Sequence, residues 1–246
     1  MNGIRATLSR ELRAYFLSPL AYIVAALLLV VNGLTFVYIL SFLNDPRAGI
    51  GAPLELFFGQ TLFFWLVLLF VTPVLTMRLL SEERRSGTIE MLMTAPITEA
   101  QVVVGKFLAA LTFYAFLWLP TVSYALILAY YHEVDWGPVA SGYLGILGIG
   151  AVFLSIGMMA TAFARSQLVA AILTFAVLIP IFTFGLLEML TNDGGLKTVL
   201  GYVNMWQHVE ELAKGIVDTR RLVYYASTTV FFLFLATRAL SLRKWR

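Results

Sequence analysis

Cysteine is missing from all 246 residues, which excludes disulfides and thiolate-bound metals. Histidine is reduced to two, His132 and His208, too few for a histidine-built metal cluster. Both lie beside acids, Glu133 in one case and Glu210 and Glu211 in the other, and both read as solvated polar surface. Charged side chains make up only 13% of the chain, where a soluble domain carries about a quarter. No G-x-x-x-x-G-K-[ST] stretch occurs, so the chain holds no phosphate loop for hydrolysing ATP. Val102–Lys106 ends in Gly-Lys but lacks the glycine spacing. No persuasive Ser-His-Asp order, low-complexity tract, long linker or fixed-period repeat is found. The expectation is a non-enzymatic single domain, 1–246, with no catalytic residue, bound metal or cofactor of its own, and no nucleic-acid partner.

Apolar side chains are abundant instead: 60% of the residues, with a mean hydropathy of +0.86. Six runs reach the roughly 20 residues that a helix needs to cross about 30 Å of hydrocarbon. They cover 20–43, 57–77, 107–130, 139–163, 168–187 and 222–241, and predict an all-α polytopic membrane protein. The first run is too long and begins too late for a cleaved leader, and reads as a retained anchor. Six crossings put both termini on one side. If that side is the cytoplasm, it holds twelve of the 17 Lys and Arg residues, as the excess of cytoplasmic positive charge requires. No charge falls in the middle of a run. Asn32, Thr35, Gln60, Thr61, Thr72, Ser123, Ser155, Thr161, Thr174 and Thr183 supply the polar atoms there, mostly expected to bond to backbone. Ion-coupled carriers usually keep ionisable groups at that depth. Pro73, Pro120 and Pro180 permit kinks. The small residues of the fourth run suit close helix contact, within the subunit or at a dimer seam. Trp118, Trp136, Trp206 and Trp245 read as interface anchors.

Two segments are neither spans nor plain loops. Residues 1–18 place Ile4, Leu8, Leu12 and Tyr15 on one helical face and Arg5, Ser9, Arg10 and Arg13 elsewhere, the pattern of an amphipathic helix lying in the membrane interface. Residues 196–216 carry an apolar residue every three or four positions and predict short helices on the outer surface between spans five and six. Asn204 and Gln207 offer a capping box there and Gly215 a C-cap.

Between spans two and three lies "MRLLSEERRSGTIEMLMTAPIT". Placing its six charges in lipid would cost on the order of 15 kcal/mol, at about 2.5 each, so it is aqueous. Ser86-Gly87-Thr88 breaks the preceding helix and Thr88 can cap a new one. Ile89, Leu92 and Met93 then share one face, and Pro96 limits the stub to about two turns. Thr98 and Gln101 form a capping box for the next helix. On residues alone, an oily stub held in water has two covers open to it: the lipid surface, or a groove on a partner.

Glu83, Gly87, Thr88, Glu90, Leu92, Pro96, Gly105 and Lys106 stand in the order E-x-x-x-G-T-x-E-x-L, Pro, G-K. This resembles the coupling-helix loop of type-2 ABC exporter permeases. The start, "RELRAYFLSPLAYIV", and the end, "HVEELAKGIVDTRRLVYY", resemble the gliding-motility (GldF-like) type of that family. The resemblance implies a permease of the bacterial cytoplasmic (inner) membrane, paired with a second permease subunit as a homo- or heterodimer. It further implies a separate cytoplasmic ABC ATPase subunit that binds the ATP and drives the permease, and it leaves room for an outer-side protein partner. It implies contact with that ATPase through Glu82, Glu83, Arg84, Arg85, Gly87, Thr88, Ile89, Glu90, Leu92, Met93 and Pro96. The alternative is a stand-alone membrane scaffold or facilitative carrier.

Overall fold

The computed structural model describes residues 2–44, 53–81, 83, 98–131, 133–190, 201 and 204–242. Among these every regular element is helical. An N-terminal helix α1 (Asn2–Phe16) leads through Ser18 and Pro19 into α2 (Pro19–Leu43). A broken pair follows, α3 (Pro53–Gln60) and α4 (Leu62–Thr76), bent by 43°. Then come α5 (Glu99–Trp118), α6 (Val122–Tyr131), α7 (Trp136–Phe163), α8 (Gln167–Leu190), α9 (Met205–Ala213) and α10 (Thr219–Ser241). Five helical stretches are long and apolar enough to cross a membrane, or six when the bent α3–α4 pair is one span.

The second span departs from the expected unbroken 57–77. Gly59 takes φ +90°, a left-handed value that side chains with a Cβ rarely adopt, and the helix breaks there. Thr61 caps the restart by accepting from Phe64 N–H, and the Trp65 indole donates to the Gly59 carbonyl at 2.8 Å. Proline explains less than expected. Pro73 and Pro180 sit inside helices, and Pro120 marks a short 3₁₀ turn joining α5 to α6.

Helix α7 is the hub, packed against α4, α5, α8, α9 and α10. Its glycines meet neighbours within the chain. A Cβ at Gly142 would lie 2.5 Å from the Phe58 ring and one at Gly148 2.6 Å from Tyr225, while one at Gly150 would fall on Tyr114 and one at Gly157 on Thr76. The span hydroxyls of Thr35, Ser123, Ser155, Thr161, Thr174 and Thr183 donate to carbonyls three or four residues back, as expected of hydroxyls in a helix.

Helix α9 does more than rest on a surface. Val209 packs against Gly59, Leu212 against Gly145, and Ser141 Oγ donates to the Leu212 carbonyl at 2.6 Å. Trp206 stacks on Trp65 with ring centroids 4.8 Å apart. Trp206 and the buried Trp118 are therefore core pieces, not interface anchors, while Trp136 is exposed and Trp245 lies outside the described residues. Asn204 caps α9 through Trp206 N–H, Gly215 takes φ +84° after its end, and Asp218 caps α10 through Arg220 N–H. His208 is wholly buried, not solvated, because α9 lays that face against Tyr224 and Tyr225 of α10.

Candidate functional site

The charged loop is rooted where three elements meet: the middle of α1, the chain just beyond α4, and the second and third turns of α5. The α5 root begins at the expected capping box. Thr98 Oγ1 accepts from Gln101 N–H at 3.3 Å, and Gln101 Oε1 accepts from Thr98 N–H at 3.2 Å. Two turns on, α1 crosses α5 at Gly105. A Cβ there would lie 2.9 Å from Thr7 Cβ and 3.2 Å from the Ile4 carbonyl. Glycine is what lets the two backbones approach this closely.

The next residue, Lys106, is 2% exposed. Its Nζ lies 2.8 Å from Glu11 Oε1 of α1 and 3.0 Å from Glu83 Oε1. Arg10 closes the cluster from the water side, Nη2 reaching Glu11 Oε1 at 2.9 Å and Glu83 Oε1 at 2.6 Å. Two cations thus share two carboxylates, and a buried lysine is tolerated because it is paired twice. Burial pulls the Arg10 guanidinium pKa down. The bonds and charges of Glu11 and Glu83 outweigh this, and the net shift is upward.

Two further ties fix α1 to the end of α4. The Tyr15 hydroxyl donates to the Leu75 carbonyl at 2.7 Å, one of the last carbonyls of α4, which lack a partner inside the helix. Burial, helped by the Glu11 charge, pushes the Tyr15 hydroxyl well above its ordinary pKa and keeps it a donor. Arg78 Nη1 donates to Ser18 Oγ at 2.8 Å. Tyr15 also stacks on Phe113 of α5 at 5.0 Å, and Phe16 meets Phe113 edge-on at 5.3 Å. The predicted N-terminal helix is therefore present, and it packs closely on α5.

Of the residues predicted to contact an ATPase, Glu83 alone falls in the described part, and it is brought to Lys106. Glu82, Arg84, Arg85, Gly87, Thr88, Ile89, Glu90, Leu92, Met93 and Pro96 lie outside the described residues. Sequence reasoning missed Glu11 and the role of Lys106. One signal was available: Glu11 stands four residues after Thr7 and four before Tyr15, an acid on the side of α1 that turns inward.

Fold and site together define a multi-pass α-helical membrane protein with an ion-paired cluster where the chain leaves α4 and enters α5. A family model for ABC-2 family transporter proteins matches residues 54–242, more than half of the chain, and the chain belongs to that family. Proteins of this family are normally non-enzymatic membrane components and generally work with a cytoplasmic ATPase subunit. No curated protein matches the chain. The match includes Glu83 and Lys106 but begins after α1.

Proposed function

We propose that the chain is the permease subunit of a type-2 ABC exporter or force-transmitting complex, of the gliding-motility type, working as a pair of permeases on a separate ATPase dimer. The observation that carries this reading is the Lys106 cluster. It joins α1, Glu83 and α5 into one base, and segment 84–97 leaves that base and returns to it. A push on the segment would reach α4 through Glu83 and α5 through Thr98, and both spans pack on the hub α7. In this reading Ile89, Leu92 and Met93 fill a groove on the ATPase. Their burial contributes about 1.5–3 kcal/mol each before association costs. Glu90, Arg84 and Arg85 set register at the rim.

Leu92→Asp is the test. The spans do not depend on Leu92 in this reading, so the variant should insert and purify normally. It should lose pull-down of the ATPase subunit or lose coupled transport. Full binding with full transport would reduce the segment to a connection and favour a stand-alone scaffold or carrier.

The reading also puts both termini and the Lys106 cluster in the cytoplasm of a bacterial inner membrane. The absence of native cysteine makes this easy to check. Single cysteines at Ser9 and Lys214, both at exposed positions, should react with a membrane-impermeant thiol reagent from opposite faces of sealed vesicles. Reaction of both from one face would overturn the six-span arrangement.

A further inference from the structure

At the end of the bundle away from α1, helices α9 and α10 border an open cavity of about 540 Å³. Its wall combines Gln207 and His208 from α9 with Asp218, Arg220, Arg221 and Tyr224 from the start of α10. Arg221 is held in place. Its Nε and Nη2 each lie 3.0 Å from an oxygen of Glu211, and Nη1 lies 2.6 Å from His208 Nε2. A guanidinium can only donate, so His208 Nε2 accepts in this contact. Arg220, by contrast, is exposed and has no carboxylate within ion-pair distance among the described residues. Asp218 spends Oδ1 on Arg220 N–H at 2.8 Å, and its Oδ2 carries no bond among the described residues.

Two guanidiniums and two carboxylates leave this corner with no net charge, yet with a cationic and an anionic group each short of a partner. Val223 and Ser227 carry the cavity wall down the same face of α10. Beyond Ser227 that face turns apolar, with Val230, Phe231 and Phe234 exposed at helical spacing. A polar cavity at the head of an apolar, membrane-spanning stripe has the shape of an amphiphile.

We propose that this cavity binds the headgroup of a zwitterionic phospholipid bearing a primary ammonium. The phosphodiester rests on Arg220 beside the fixed Arg221, the ammonium on Asp218, and the acyl chains lie along the Val223–Phe234 face. Arginine suits the phosphodiester because its planar fork matches two oxygens. A primary ammonium can donate hydrogen bonds to Asp218, whereas a quaternary one cannot. The site is independent of what docks at the other end of the bundle.

The full chain, purified in neutral detergent with equimolar phosphatidylethanolamine, phosphatidylcholine and phosphatidylglycerol, tests this by native mass spectrometry. The wild type should retain phosphatidylethanolamine over phosphatidylcholine by about tenfold, the worth of one charge-assisted hydrogen bond. Asp218→Asn keeps the helix cap, since Asn caps as well as Asp, and should bring that ratio towards one. Arg220→Ala should lower retention of both lipids together. Equal retention of the two lipids by the wild type would overturn the proposal, as would a preference that survives Asp218→Asn. Displacement of the lipid by millimolar inorganic phosphate would mean the cavity takes a free anion, and would overturn it equally.

Discussion

Lys106→Met should destabilise the purified chain by about 3 kcal/mol and release its N-terminal helix. The side chain it removes is 2% exposed and is the buried cation between Glu11 and Glu83. Removing one partner of a buried pair leaves the others desolvated without compensation, typically at about 3–5 kcal/mol. The lower end applies because Arg10, on the water side, still reaches both carboxylates. Loss of the cluster should loosen α1 and let trypsin cut at its exposed Arg5, Arg10 and Arg13 well before the spans are cut. Adding Glu11→Gln to Lys106→Met should recover part of the stability, because one stranded charge is then gone. Unfolding in detergent and the order of tryptic fragments are the measurements. A Lys106→Met chain as stable and as protease-resistant as wild type would show that α1 is held by Tyr15, Phe16 and Thr7 alone.

Gly59→Ala should act at the other end of the bundle. Two costs add there. The φ of +90° penalises any Cβ by about 1–2 kcal/mol, and that Cβ would fall on Val209 of α9, an overpacking worth about 1–3 kcal/mol more. Helix α9 should give way first, since it is nine residues long and held by side-chain packing. Faster hydrogen exchange across 205–213 should appear, and the emission of Trp206 should change as it leaves Trp65. Gly33→Ala is the control. Its Cβ would meet only the Tyr124 hydroxyl, at 3.5 Å, and it should be neutral or slightly stabilising. Matching effects at the two positions would refute the wedge.

Sequence read best where the physics is local. The Thr98–Gln101 capping box and the turn at Ser18-Pro19 depend on residues within a few positions of one another, and both are found where expected. The break at Gly59 was hidden because an apolar run looks the same whether its helix is straight or bent. Nor does the run show that Gly59 closes against Val209, 150 positions later. Gly105-Lys106 was visible as a pair, but its meaning was not. The glycine answers to Thr7 and the lysine to Glu11, 95 residues upstream, and no pattern within one helix records such a crossing. His208 misled for the same reason: flanking acids suggested water, while the opposite face of α9 is closed by Tyr224 and Tyr225.

The separation of 95 positions between Glu11 and Lys106 also imposes an order on biosynthesis. At about 5–20 residues per second, α1 is made roughly 5–20 seconds before its cation leaves the ribosome. Through that interval Glu11 has only Arg10 beside it, and the inward face of α1 has no third span to cover it. A helix amphipathic enough to wait on the bilayer surface solves the problem of timing. The newborn chain can park α1 on lipid, thread two spans past it, and close the base only when Glu83 and then Lys106 arrive.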